Sequence, residues 1–202
     1  MKKFMLVLSL LLGLQTAHAA LVAEDYSSVG DGLITLDTES GLEWLDFTAT
    51  RGLTVSQVLS GMGGYSATFR YATRSEIQEL LAHAGFSTLN TYAPEYVTLG
   101  QAFNNLFNSN GSACGGSLPW ACALSISPDT QHLDLINVGV SLTEGGAFLF
   151  PNYAPTDYQH EWYGSALVRV DNNGAVVPEP SAILLLGIGL LALAAKRQQR
   201  QG

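Results

Sequence analysis

The sequence predicts an α+β domain, a single unit of antiparallel strands with two or three short helices. Three observations carry this expectation. Alternating strand-like patterns open the domain, helical periodicity follows in the middle, and strand-like segments separated by polar and glycine turns fill the second half. Setting aside the two ends leaves roughly 160 residues, one domain's worth and enough to bury a core.

The first pattern is GLITLDTESGLEWLDF. Leu33, Thr35 and Asp37 alternate with Ile34 and Leu36, a turn falls at Glu39-Ser40-Gly41, and the pattern resumes from Leu42 to Phe47. It reads as a hairpin or two adjacent strands, with Trp44 and Leu45 pointing into the core. Val55, Val58, Leu59 and Met62 then recur at helical spacing, and Gly63-Gly64 ends that run. A second helix is better marked. Thr73 and Glu76 form a capping box, Ile77, Leu80, Leu81 and Ala84 make one apolar face, and Gly85 stops it. A third helix is expected from Leu99 to Phe107, after Thr98, with Ala102, Phe103, Leu106 and Phe107 as its apolar face. Strands are expected at Ala121 to Ser127, Leu133 to Val140, Ala147 to Phe150 and Tyr163 to Val170.

The two ends are addressed outside the cytoplasm. Lys2 and Lys3 precede an apolar run from Phe4 to Leu14, and Ala17-His18-Ala19 offers the small residues that signal peptidase needs, with cleavage between Ala19 and Ala20. That run is too short to span a bilayer core, which takes about 20 residues. At the other end, Pro178-Glu179-Pro180 is followed by fourteen apolar or small residues from Ala182 to Ala195, then Lys196, Arg197 and Arg200. As a helix that segment would rise about 21 Å. Helped by Lys196 snorkelling, it suits a temporary transmembrane anchor with its basic tail held in the cytoplasm. The expected organisation is therefore a signal peptide at 1–19, an exported domain at 20–176 and a terminal signal at 177–202.

This terminal arrangement resembles the PEP-CTERM sorting signal of Gram-negative bacteria that make exopolysaccharide. The resemblance implies an exosortase, a membrane-embedded cysteine transpeptidase that cuts near Pro-Glu-Pro, after transient anchoring in the inner membrane. It also implies a cell-surface or extracellular-matrix destination. An ordinary tail anchor is the plainer reading.

Charge narrows the partners. All 17 acidic residues lie between Glu24 and Glu179, and only Arg51, Arg70, Arg74 and Arg169 oppose them, a balance of −13 without a lysine. Such a surface repels phosphate backbones, so nucleic acid is not an expected partner. It suits calcium or simple solubility among sugars. Cys114 and Cys122 are the only cysteines. An even count in an oxidising compartment favours a disulfide; a metal site would need further ligands close by, and a catalytic thiol is the third reading.

Three segments, LDTESGLEWLDF, GGYSATFRYATRSEIQELL and EWYGSALVRV, resemble in order the C-type-lectin-like domains related to formylglycine-generating enzymes, over residues 36–170. Tyr71-Ala72-Thr73 stands where that family usually carries Leu-Pro-Thr. In the enzymes of that group paired cysteines engage copper, but the surroundings of Cys114 and Cys122 do not follow their pattern.

For chemistry, Asp157, His160 and Glu161 form the best titratable cluster, suited to a cation or an acid–base pair. His83 and His132 stand alone. Arg70 and Arg74 flank the capped helix with Glu76 and Glu79 in reach, an ion-paired arrangement expected to fix that helix against the first hairpin. Tyr92, Tyr96, Trp120, Tyr153, Tyr158, Trp162 and Tyr163 fall in expected loops or strand ends, where aromatic faces suit sugar rings. The function expected is a non-enzymatic surface protein associated with exopolysaccharide; the alternative is a secreted enzyme acting on glycans or proteins.

Overall fold

Asp37 organises the first turn of the domain. Its carboxylate accepts the Glu39 N–H at 3.0 Å and the Ser40 hydroxyl at 2.7 Å, and its carbonyl accepts the Gly41 N–H at 2.8 Å. These bonds bend the chain back so that β2 (Ile34–Asp37) and β3 (Leu42–Leu45) pair from Ile34↔Leu45 to Asp37↔Leu42. The computed structural model describes residues 20–108, Cys114 and residues 120–171. β1 (Leu21–Glu24) adds to the other side of β2. Sequence reading missed β1 because four residues without apolar alternation carry no strand signal.

The helices follow their caps. A 3-10 turn at Phe47–Thr50 precedes α1 (Val55–Leu59), which opens on a reciprocal pair: Thr54 N–H to Gln57 Oε1 at 2.8 Å and Gln57 N–H to Thr54 Oγ1 at 3.1 Å. After β4 (Arg70–Tyr71), α2 (Arg74–His83) opens on the expected Thr73–Glu76 box and buries Ile77, Leu80 and Leu81. The third helix differs from expectation. α3 runs Tyr96–Phe107, beginning two residues after Pro94, and it buries Tyr96, Gly100, Phe103 and Phe107 while Ala102 faces solvent. The turn at Pro94 and Glu95 leads directly into it, with the Tyr96 and Val97 N–H groups donating to the Ala93 and Pro94 carbonyls at 3.1 and 3.2 Å, so Thr98 lies inside the helix.

β5 (Trp120–Ile126), β6 (His132–Val140) and β7 (Gly145–Pro155) form an antiparallel meander. β7 extends well past the expected Ala147–Phe150, because the register shifts between Leu133 and Leu135 and the extra residues of β7 loop out around Asn152, whose φ is 52°. Pro151 therefore sits in a bulge instead of ending the strand.

The last segment is the second departure. The single strand expected at Tyr163 to Val170 is two strands in two sheets. β8 (Gly164–Ser165) runs parallel to β5, giving the sheet order β7-β6-β5-β8. β9 (Leu167–Val170) inserts antiparallel between β3 and β4, giving β1-β2-β3-β9-β4. Ala166 joins them: its N–H donates to the Leu124 carbonyl at 2.8 Å and its carbonyl accepts the Ala72 N–H at 2.9 Å.

Both apolar clusters mix residues from the two sheets. One gathers Trp44 and Val168 with Ile136, Val138 and Leu149 beneath α2 and α3, where Phe103 stacks on Phe107 at 4.4 Å and Phe107 meets Phe47 at 4.6 Å. The other gathers Ile34, Leu45 and Leu167 with Leu124, Leu133 and Leu135, closed by Val55, Val58 and Phe69. Each fully buried large side chain contributes on the order of 2 kcal/mol. The described elements thus make one α+β domain with the expected antiparallel strands and short helices. No helix among the described residues is long and apolar enough to cross a membrane. The transmembrane helix expected at Ala182 to Ala195 lies outside the described residues.

Gly164 makes the crossing possible. A Cβ there would stand 1.8 Å from the Phe47 carbonyl oxygen and 2.7 Å from its carbon, both backbone atoms that cannot swing aside. Gly164→Ala is expected to cost about 3 kcal/mol or more. Urea unfolding should show the lower midpoint, and an unchanged midpoint would contradict the role given to this contact.

Candidate functional site

The bulged end of β7 and the loop after it bring aromatic rings together at the surface. The Tyr153 ring lies 5.8 Å from Tyr158, edge to face, and 6.3 Å from Tyr163. His160 stacks on Tyr163 at 4.3 Å, with planes 21° apart, and lies 6.3 Å from Tyr158. Tyr153 is 42% exposed and Trp162 37%, so part of this aromatic surface meets solvent. Burial, followed by bonding to Tyr153, pushes the phenols of Tyr158 and Tyr163 up from their ordinary value.

Local backbone bonds hold the loop. Tyr158 N–H donates to the Pro155 carbonyl at 3.0 Å and Tyr163 N–H to the His160 carbonyl at 3.1 Å. Across the loop, Gly52 N–H donates to the Tyr163 carbonyl at 3.0 Å and the Gln159 amide to the Gly52 carbonyl at 2.7 Å. The Arg51 guanidinium stands 5.8 Å from the Trp162 ring centroid, within cation–π range. Aromatic faces with polar groups at their edges can stack on a sugar ring and hydrogen-bond its hydroxyls.

Of the seven aromatics singled out in the sequence, Tyr153, Tyr158 and Tyr163 converge, with Trp162 beside Tyr163 in the chain. The other three lie elsewhere. Tyr96 is buried, its hydroxyl bonded to Ser87 and Thr88 at 2.8 Å each. Tyr92 packs on Phe148 at 4.6 Å, and Trp120 covers Gly139.

Asp157, His160 and Glu161 share the aromatic loop, Asp157 and Glu161 exposed and His160 half-buried. The His160 Nδ1 accepts the Trp162 N–H at 3.3 Å while its ring is stacked. Among the described residues, no group of three or more His, Cys, Asp and Glu side chains is gathered to hold a metal. His83 pairs through Nδ1 with the buried Asp37 at 2.8 Å and faces Glu39 at 3.4 Å; His132 pairs with Asp129 at 2.7 Å. Cys114 and Cys122 are joined as a disulfide, with their Cα atoms 5.4 Å apart. The bond tethers Cys114 to the fully buried Cys122 in β5.

The arginines are tied as follows. Arg70 bonds Glu76 at 2.8 Å and, with the Thr73 N–H, holds its carboxyl down to about 2. Arg74 corrects the sequence expectation, because it reaches β6 and not the first hairpin. Its Nε and Nη2 donate to the two oxygens of Asp134 at 2.7 and 2.8 Å. Asp134 is fully buried and also accepts the Ser127 hydroxyl and, at 3.0 Å, the N–H of the bulge residue Asn152. What ties α2 to the first hairpin is His83 on Asp37, at the other end of the helix.

A further acidic feature was not singled out in the sequence. In the loop between β1 and β2, the Asp31 carboxylate accepts the N–H groups of Ser27 at 2.9 Å, Tyr26 at 2.8 Å, Ser28 at 2.9 Å and Leu33 at 3.2 Å. Asp25 accepts those of Gly30 and Gly32 at 2.8 and 3.0 Å. These donors, Ser27 foremost, hold the Asp31 carboxyl far below its ordinary value. The pattern Asp25 to Asp31 with Gly30 and Gly32 is the signal that could have revealed a carboxylate-built turn.

The chain's terminal segment carries the feature that assigns it a class. Residues 176–198 match the family model described as the PEP-CTERM protein-sorting motif. The match spans Pro178, Glu179, Pro180 and the apolar run, and makes this an exported protein sorted to the cell surface. The chain carries that sorting motif, and an exosortase is its processing partner. Pro178 to Arg200, like Ala19, lie outside the described residues. No curated protein and no solved structure matches the chain. The likeness to C-type-lectin-like domains therefore rests on the three sequence segments alone.

The buried carboxylate yields a test. Burial pushes the Asp134 pKa up, but the bonds from Arg74, Ser127 and Asn152 outweigh it and hold the value below that of a free carboxyl. A group depressed in the folded state stabilises above its unfolded value, near 4, and loses that contribution as pH falls through the folded value. Arg74→Ala is expected to cost about 2 to 3 kcal/mol at neutral pH, less than for a fully buried pair because Arg74 is partly exposed. In Asp134→Asn the acid-induced loss of stability should shrink. Guanidinium unfolding between pH 7 and pH 3 measures both.

Proposed function

We propose that the exported domain is a non-enzymatic surface protein that associates with the exopolysaccharide matrix through the aromatic surface at the end of β7. The observation that carries this reading is the gathering of Tyr153, Tyr158, Tyr163 and His160 at one surface, with Tyr153 and Trp162 open to solvent. Aromatic faces bind sugars through their C–H surfaces and need no catalytic group. A secreted enzyme is the alternative, working through Asp157, His160 and Glu161. The non-enzymatic reading is favoured because the His160 ring is stacked and its Nδ1 takes a backbone N–H.

Export and sorting complete the reading. Signal peptidase cuts between Ala19 and Ala20, and the segment from Ala182 to Ala195 is held briefly in the inner membrane of a Gram-negative host, with Lys196, Arg197 and Arg200 on the cytoplasmic side. The exosortase then cuts near Pro178-Glu179-Pro180 and releases the domain, from residue 20 to about 176, to the cell surface or matrix.

Two experiments test these points. Mass spectrometry of the protein from its host should find a C-terminus near the prolines, and a Pro178→Ala, Glu179→Ala, Pro180→Ala variant should keep its tail and stay in the membrane fraction; an intact tail on surface-recovered wild-type protein would refute the processing step. A glycan array with a calcium titration should register saccharide binding, weakened about tenfold or more in Trp162→Ala with Tyr153→Ala. Binding no stronger than background would remove the matrix reading.

A further inference from the structure

The chain enters and leaves the domain at the same end of the first sheet. Leu21 pairs with Asp37, Asp37 with Leu42 and Leu42 with Val170, so one row of residues crosses β1, β2, β3 and β9. Its two ends are three strand spacings, or about 14 Å, apart. The entry is strapped, because the Ala20 carbonyl accepts the Thr38 N–H at 2.8 Å and the Thr38 hydroxyl at 3.2 Å. The turn at Glu39-Ser40-Gly41 forms the tip beyond the row. From Val170 only eight steps of chain lead to Pro178, a reach of at most about 28 Å by covalent length. We infer that the exosortase cuts this chain with its domain already folded, and that the end of the first sheet bearing Glu39 and Val170 is the surface that abuts the enzyme. This rests on the processing reading above and adds the state and the face of the domain that the enzyme meets.

Reach and charge both select that end. A folded domain of about 150 residues is on the order of 40 Å across, so with the opposite end turned to the enzyme the prolines would fall short of it. Charge agrees. At the Glu39 end, Asp37 is bonded to His83 at 2.8 Å, and Glu43, one row in, is paired with Arg169. Val170 stands exposed beside them. At the opposite end, in the loop between β1 and β2, the carboxylates of Asp25 and Asp31 are held by backbone N–H groups instead of by Arg or His side chains. Carboxylates already partnered by basic side chains, next to an exposed valine, cost less to dehydrate against another protein.

The test presents the full chain to inner-membrane vesicles of the host, which carry the exosortase, and follows loss of the tail by mass spectrometry. Circular dichroism checks the folding of each variant. Glu39→Cys and Val29→Cys place exposed thiols at opposite ends of the first sheet, and each carries a maleimide-linked polyethylene glycol chain. The graft at position 39 should slow cutting about tenfold or more, whereas the graft at position 29 should leave it near the ungrafted rate. Deleting Asn172 to Ala175 removes about 14 Å of reach and should slow cutting similarly, while a Gly-Ser replacement of equal length should not. In a Gly164→Asp chain that circular dichroism shows to be unfolded, both effects should vanish, and their persistence would overturn the inference. Equal cutting with the two grafts, or equal loss of it, would overturn it as well and leave processing standing. Cutting restored to the position-39 graft by dissolving the vesicles in mild detergent would assign that end to the bilayer instead of the enzyme. Failure to cut the ungrafted chain would remove the processing reading itself.

Discussion

The fold depends on the passage of one short segment between two sheets. Residues 164–168 leave the side of β5, cross at Ala166 and enter the first sheet between β3 and β4. Only a chain without a side chain at 164 can lie on the Phe47 carbonyl closely enough to do this. The consequence is that neither sheet owns a separate core. Trp44 and Val168 from one pack with Ile136 and Val138 from the other, and Leu45 and Leu167 pack with Leu124 and Leu135. The Ser165 N–H, donating to Thr50 Oγ1 at 2.7 Å, and the Ser165 hydroxyl, 2.9 Å from Tyr71, satisfy the polar groups that such a tight crossing buries.

A second set of constraints is electrostatic. In a domain with so few cations, two arginines are committed to buried carboxylates. Arg74 neutralises Asp134 where β7 bulges. Arg169 pairs with Glu43 directly across β9 and β3 while its guanidinium lies 4.8 Å from Phe69 and 5.3 Å from Tyr26. The remaining negative charge is therefore largely a surface property, carried by residues such as Asp157 and Glu161. The bulge that Asp134 stabilises is what turns Tyr153 outward toward Tyr158 and Tyr163, so interior charge pairing and surface aromatic geometry are linked through β7.

Local signals were legible and distant ones were not. The Thr73–Glu76 box and the turn at Glu39-Ser40-Gly41 were readable because cap and partner lie within a few residues. The sorting motif was readable for the same reason, its three parts following one another along the chain. By contrast, Arg74 finds its partner sixty residues away, and nothing local distinguishes Asp134 from Glu76 or Glu79 as that partner. The break at Ala166 was hidden because Tyr163 to Val170 alternates as one strand, whereas the change of sheet is dictated by Phe47 and Leu124. Among the aromatics, sequence position alone could not separate the buried Tyr96 from the solvent-facing Tyr153.

The strand that completes the first sheet is also the last element among the described residues. β3 and β4 have no pairing with each other and are joined only when β9 arrives between them. The partner that β3 needs on this side, Arg169 opposite Glu43, lies 126 positions further along the chain. Closing the first sheet is therefore a long-range event that local structure cannot complete, and a polypeptide cut short before β9 would leave β3 and β4 as two unjoined edges.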